Sequence, residues 1–349
     1  MIFSIDNPLI DATAEVDESF LNKWGLKTDD AILVDESYQQ LIDEIIKSEK
    51  TQKTPGGACQ NVLAMAQWFM QDEGETAIVG SVGSDSNREV LESILTQCGV
   101  KCFYQEIPHH HTGCCAILVC NTNGASYRTI VTSLGASSMI DYNNWYTPEV
   151  AELFGKAKIV ILANFFIRSN EKISLSIAIE CLHRKIPLAI GLSSPSAIDC
   201  STWPTLKQIF RVADVVFGNK EEIICLSKKF GLIDKNEKEE NLCLKELTRM
   251  IANYDVMEGQ KRIVVATNGP SPTIGCMSGC EPIEKEPADV PMSRIVDTNG
   301  AGDSFEAGFL VYYMKGYSLE KCIEAGNYCG TCNIQERGCT VPKYRPNFI

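Results

Sequence analysis

The string Asp297-Thr298-Asn299-Gly300-Ala301-Gly302-Asp303-Ser304-Phe305 carries the strongest chemical signal in the chain. Its small residues let a backbone turn tightly and approach a ligand without side-chain collision. Phe305, Phe309, Tyr312 and Tyr313 then recur at helical spacing, so Gly300, Ala301 and Gly302 are expected at a helix N-terminus. Unpaired amides and the positive end of the helix dipole converge at such a place and hold an anion. A carboxylate there, Asp303, can accept the proton of a hydroxyl that attacks a phosphoryl group. A glycine turn with Asp303 as a plain N-cap uses the same residue types, but the whole string is far more specific than that arrangement needs. No Gly-x4-Gly-Lys-[Ser/Thr] occurs, so this is not a P-loop protein.

The elements that must hold this turn alternate. Short apolar runs at Thr76–Gly83, Ile159–Ala163, Ile186–Ile190, Asp214–Phe217 and Arg262–Ala266 read as buried strands, separated by amphipathic helical stretches. That rhythm predicts an α/β fold, doubly wound, with a mostly parallel sheet and helices on both faces. Two stretches break it. Residues 12–54 mix short apolar runs with acidic helices, and residues 101–136 read as antiparallel around an Asn123-Gly124 turn. Together they are expected to form a small α/β lid, leaving 1–11, 55–100 and 137–349 for the large catalytic domain. The polar stretch Asp234 to Lys245 reads as a solvated loop leading into a helix.

The balance of the chain excludes several classes. A formal net charge of −13 argues against nucleic acid as a partner, because phosphate backbones are met by basic surfaces. No run approaches the roughly 20 apolar residues that span a bilayer, so no membrane is expected. The N-terminus lacks a basic region followed by an apolar one, which predicts a cytoplasmic protein. Its 16 cysteines then read as reduced, small, buried hydrophobes. Cys329 and Cys332 have redox spacing but lie inside a helical pattern, with no second pair to complete a zinc site. His109-His110-His111 reads as a solvated loop, since adjacent residues of an extended chain point to opposite sides.

The Asp297–Phe305 string resembles the C-terminal signature of the ribokinase/PfkB family of sugar and nucleoside kinases. Other segments resemble its adenosine-phosphorylating branch: Asn7-Pro8-Leu9-Ile10-Asp11, Asp17 to Leu26 with Ala31-Ile32-Leu33, and Gly56-Gly57-Ala58-Cys59-Gln60-Asn61. Phe217-Gly218-Asn219-Lys220-Glu221-Glu222 and Arg337-Gly338-Cys339-Thr340-Val341-Pro342 follow in the same order. The resemblance spans about residues 6 to 348 and implies transfer of a phosphoryl group from ATP, with Mg²⁺, to the 5′-hydroxyl of adenosine. It implies Asp303 as base and Gly300, Ala301 and Gly302 as the anion hole. A monomer with adenosine and ATP as its small-molecule partners is expected.

Physical readings accompany these positions. Asp11 at the end of an apolar strand can accept hydrogen bonds from both hydroxyls of a ribose. Gly57 lets backbone pass close to a sugar, and Asn61 offers a donor and an acceptor. By resemblance, Leu33 and Phe165 pack on the base and Arg128 approaches the transferred phosphate, where a surface salt bridge is the alternative. Thr267 and Gly269 border the ATP phosphates. By resemblance, Asn219 and Glu222 are expected near phosphates and Mg²⁺, Glu222 through water; an N-capping box uses the same spacing. The chain departs from the family pattern at Asp6, Ala31, Asn164, Gly191 and Pro270, which bears on base selectivity. A related sugar kinase, or a nucleoside-binding protein without catalysis, are the competing expectations.

Overall fold

The computed structural model describes residues 1–28, 31–71, 75–122 and 125–348. In chain order the strands are β1 (Ile2–Ile5), β2 (Leu9–Val16), β3 (Ala31–Leu33), β4 (Gln52–Gly56) and β5 (Thr76–Gly83). Then come β6 (Val100–Ile107), β7 (Gly113–Thr122), β8 (Ala125–Ser133), β9 (Ile159–Ala163) and β10 (Leu188–Gly191). The last are β11 (Val215–Asn219), β12 (Ile263–Thr267), β13 (Thr273–Met277) and β14 (Ile283–Lys285).

Nine of them form one sheet in the order β14-β13-β12-β11-β10-β9-β1-β5-β6. From β6 to β12 every pairing is parallel, and β13 and β14 add an antiparallel edge. β1, β5 and β9 are buried along their whole length because helices cover both faces, which is why they read as unbroken apolar runs. Two apolar clusters lie on the opposite faces, one around Phe3, Phe154 and Phe210, the other around Leu63, Phe217 and Phe309. The doubly wound α/β architecture is as expected.

The second sheet has the order β3-β8-β7-β2-β4. Its strands alternate: Ile10, Ala12 and Ala14 face a third core made with Leu21, Leu41, Ile42 and Ile45 of the helices Glu18–Lys23 and Gln39–Lys47. The intervening residues of β2, Asp11 among them, face the other way. Strand pairing moves one expected boundary. Residues 101–107 pair in parallel with β5 as the edge of the large sheet, so the second segment of the small sheet starts at Gly113, not at 101. β7 and β8 pair antiparallel from Cys114–Ser133 to Thr122–Ala125; the expected turn residues Asn123 and Gly124 lie outside the described residues. Asp11 likewise sits inside β2 and not at a strand end, because Asn7 and Pro8 form the link between the two sheets and β2 starts at Leu9.

Candidate active site

A parallel sheet lines up the carboxyl ends of its strands. Here Asp6 follows β1, Asn164 follows β9, Leu192 follows β10, and Asn219 and Thr267 end β11 and β12 as registered neighbours. The chain leaves β1 for β5 on one side and returns at β9 on the other. That reversal opens a crevice outside the strand ends, the usual ligand position in such sheets.

The helix Ala301–Met314 points its N-terminus at this edge. Its N-cap is Gly300, left-handed at φ +75° and without a side-chain cap. A Cβ at Gly300 would lie 2.5 Å from that of Cys339, so glycine is required twice over. Asp303 is therefore not the cap but sits inside the first turn. Its Oδ2 accepts a hydrogen bond of 2.8 Å from Asn61 Nδ2, on the helix Ala58–Met70. Burial pushes the Asp303 carboxyl up to about 6, against the pull of that bond. Asn61 is buried, and its Oδ1 has no partner. Asp303 and Asn61, expected from separate motifs, are thus brought into contact from 242 residues apart.

The small sheet supplies the opposite wall. Asp11 is paired with Thr54 on β4 and Cys115 on β7; Cys115 is paired with Thr132 on β8, and Thr132 with Leu33 on β3. Residues opposite one another in a sheet share a face, so Asp11, Cys115, Thr132 and Leu33 form one row. Thr132 Oγ1 bonds to Cys115 Sγ at 3.5 Å. Burial, with the charge of Asp303 added, pushes Asp11 up to about 8. A Cβ at Gly56 would lie 1.9 Å from Asp11 Oδ1, and Gly57 at φ +93° opens the helix Ala58–Met70. Leu33 and Phe165 are both exposed. Leu33 lines a cavity of about 560 Å³ together with Leu134, Gly135 and the His109–His111 run. Only His109 of that run is exposed; His111 is half-buried, its Nε2 3.4 Å from Ser133 Oγ.

Asn219 and Glu222 form a complete capping box: Asn219 Oδ1 accepts from Glu222 N, and Glu222 Oε2 from Asn219 N, each at 2.9 Å. Burial pushes Glu222 up to about 7; the Asn219 amide opposes this, and the charge of Asp303 adds to it. Arg128 of β8 donates to Asp297 Oδ1 at 2.6 Å. Burial would raise Asp297, but Arg128 and the amides of Asn299 and Gly338 hold it below the usual carboxylate range. Thus Arg128 ties the small sheet to the first residue of the glycine string. Gly269 lies just beyond β12, two residues after Thr267.

Sequence reasoning missed several participants. Asp6 Oδ2 accepts from Cys59 N at 2.7 Å, capping a helix whose own N-cap is a bare glycine; burial pushes it up to about 7. Glu306, one turn beyond Asp303, is driven well above the carboxylate range by burial and by the charges of Asp303, Glu222 and Asp6. Cys115 and Thr132 carry no motif, and only sheet register reveals them. Among the described residues, no group of three or more carboxylate, thiol or imidazole side chains stands at metal-ligand spacing. No described helix is long and apolar enough to cross a membrane.

Comparison with known proteins places the fold and the reaction class. Residues 19–345 match the pfkB family of carbohydrate kinases. Adenosine kinase 2 of Arabidopsis thaliana is 32% identical, over 100% of this chain and 97% of its own. The adenosine kinase of Dictyostelium discoideum is 31% identical, over 99% and 98%. The crystal structure of Anopheles gambiae adenosine kinase in complex with P1,P4-di(adenosine-5) tetraphosphate superimposes with a TM-score of 0.85 at 29% identity, covering 100% of this chain and 99% of that one. With the ribokinase-like sheet, the open glycine turn and the partly buried carboxylate in place, the chain belongs to the pfkB carbohydrate kinase family and is a phosphotransferase with an alcohol group as acceptor.

Proposed function

We propose that this protein transfers the γ-phosphoryl group of ATP to the 5′-hydroxyl of adenosine, giving AMP and ADP for purine salvage. The observation that carries the mechanism is the Asn61–Asp303 contact at an uncapped helix N-terminus. Asp303 takes the proton of the 5′-hydroxyl as that oxygen attacks phosphorus, and the bond to the ADP oxygen breaks in line. Amides of the Gly300–Asp303 turn receive the developing charge. Asn61 holds the Asp303 carboxylate by one oxygen and leaves the other for the proton.

The row of the small sheet orients the acceptor. Asp11 receives the ribose hydroxyls, which supply the donors that its buried carboxylate lacks. The base then runs along the face of Cys115 and Thr132 toward Leu33, with Phe165 as a further apolar contact. Relatives named adenosine kinase support adenosine as the acceptor, and the Schistosoma mansoni enzyme with 2-fluoroadenosine has the same fold at a TM-score of 0.85.

A hydrated Mg²⁺ fits the nucleotide side, because both Glu222 oxygens already accept from Asn219 and leave their remaining lone pairs for water. When bound, that ion neutralises charge on the β- and γ-phosphates. Thr267 and Gly269 border the phosphates. The small sheet acts as a lid whose closure keeps water from competing as acceptor. ADP release measured with ATP over adenosine, inosine, ribose and fructose tests the reading. Adenosine should exceed the two sugars by at least about 10²-fold in kcat/KM; a preference for ribose or fructose overturns the choice of acceptor.

A further inference from the structure

We propose that Glu306 is a positioning residue for the divalent cation that accompanies ATP, a second carboxylate arm beside Glu222 acting through the ion's water shell. The proposal rests on the metal–nucleotide half of the function proposed above and not on the identity of the acceptor.

Glu306 lies on the helix that begins at the anion turn, three residues beyond Asp303 and so on nearly the same face. Its carboxylate occupies the space that a side chain at the end of β10 would fill. A Cβ on Gly191 would stand 2.7 Å from Glu306 Oε1 and 3.2 Å from Oε2. The charges acting on it are those of Asp303, Glu222 and Asp6, all at the carboxyl edge of the sheet. Glu306 makes no side-chain hydrogen bond among the described residues, and a carboxyl group here for packing alone would carry an uncompensated desolvation cost.

Acidic groups gathered at one edge would not by themselves indicate a ligand; the amides around them do. Asn164 is fully buried, and its Nδ2 donates to the carbonyl of Leu192, the residue after Gly191, while its Oδ1 has no donor. Asn61 donates to Asp303, and its Oδ1 is also without a donor. The buried side-chain atoms left unsatisfied at this edge, Asn61 Oδ1 and Asn164 Oδ1, are therefore both acceptors. No lysine or arginine among the described residues acts on Asp303, Glu222 or Glu306. A partner that meets both these oxygens and the neighbouring carboxylates carries positive charge and several donors. A divalent cation that keeps its waters provides both, and the absence of direct ligand spacing requires those waters.

The experiment is a titration of Mn²⁺, with free ion followed by electron paramagnetic resonance, in the presence of ADP and without an acceptor. Glu306→Gln, Gly191→Ala, Glu221→Gln and the unaltered protein are compared. Glu306→Gln should weaken Mn²⁺ binding about ten-fold while ADP affinity in metal-free buffer is unchanged. Gly191→Ala leaves Glu306 in the chain but displaces its carboxylate, and should weaken Mn²⁺ in the same direction. Glu221→Gln, exposed at the start of the helix that carries Glu222, should leave it unaltered. In turnover assays, the Mg²⁺ concentration for half-maximal rate should rise in the first two variants, with kcat at saturating Mg²⁺ nearly restored. Unaltered Mn²⁺ affinity in Glu306→Gln overturns the proposal. Should that variant fail to fold, unaltered affinity in Gly191→Ala overturns it equally. If the protein prefers a sugar to adenosine, the acceptor reading fails and the Mn²⁺ comparison still stands.

Discussion

Asp303 must be ionised to act as a base, and its carboxyl is pushed up to about 6 by burial. The value of kcat/KM, which reports the free enzyme, should therefore fall as pH drops through about 6. Asp303→Asn keeps the size and the Asn61 neighbour but cannot take the proton, so kcat should fall by about 10²-fold or more while ATP still binds. Asp11 makes a different prediction, about stability. Its folded pKa of about 8 lies above the ordinary carboxylate value near 3.8, so between those limits folding takes up a proton. The stabilisation from this group is full below about pH 4 and is lost as pH rises through about 8. Without ligands, Asp11→Asn should be more stable than the parent at pH 8.5 by at least about 1 kcal/mol and so melt at a higher temperature, with little difference near pH 4. Equal melting at both values would mean that this carboxylate is not carrying a desolvation cost.

At the scale of elements, helix ends decide where functional groups stand. The anion turn keeps its amides open because Gly300 offers no side-chain cap, whereas the helix Lys220–Phe230 is closed by a full capping box. Away from the site, Arg262 closes other ends. It is wholly buried, donates to the carbonyls of Arg211, Ala213 and Tyr254, and stacks 4.1 Å from the Phe210 ring. Burial lowers it to about 10, and the carboxylates of Asp255 and Asp214 oppose that fall. Arg262→Met keeps much of the stem but strands the carbonyls of Arg211 and Tyr254, at about 1–3 kcal/mol for each buried acceptor left bare, while Gln260 still donates to that of Ala213. Chemical denaturation should show a loss of at least about 2 kcal/mol, with kcat of the surviving folded enzyme close to normal. Cys329 and Cys332 act by packing instead. They are buried in the helix Leu319–Asn333, and Cys329 abuts Gly308 where that helix crosses the one bearing Asp303. Their replacement by alanine should cost on the order of 1 kcal/mol each and leave turnover intact under reducing conditions.

For the whole molecule, the arrangement of two sheets sets what must move. The chain passes between them at Asn7–Pro8, at Gly57, at residues 108–112 and at Leu134, so the small sheet hangs on several short links. Across the site it is tied by Arg128 to Asp297, a carboxylate only 9% exposed. Breaking that tie should loosen the small sheet more than it harms the large one. Arg128→Ala is expected to lower kcat by about ten-fold or more, consistent with loss of positioning, and to raise ATP hydrolysis without an acceptor. Hydrogen exchange should quicken in β7 and β8 while β9 to β12 stay protected. Unchanged exchange in β8 would mean that the pair does not restrain the small sheet.

Local pattern alone specifies the elements and the centre of the proposed site. Continuous apolar runs such as Ile159–Ala163 specify strands covered on both faces, and the glycine string specifies an anion turn with Asp303 beside it, because each is a property of neighbours in the chain. The residue types alone allow Asp303 as an N-cap or as a free carboxylate, and only the length of the string favours the second; the fold separates them by seating Gly300 at the cap and Asn61 against Asp303. Register is equally invisible beforehand. Cys115 and Thr132 join Asp11 and Leu33 in one row only once four strands have paired, and residues 101–107 belong to the large sheet only because β5 offers an eight-residue parallel partner. Residues that stand apart in the chain, Asp6, Asn164, Gly191 and Glu306, likewise come together at one sheet edge. Burial and mutual charge are sums over the whole structure, so the raised carboxylates at this edge are decided by tertiary packing alone.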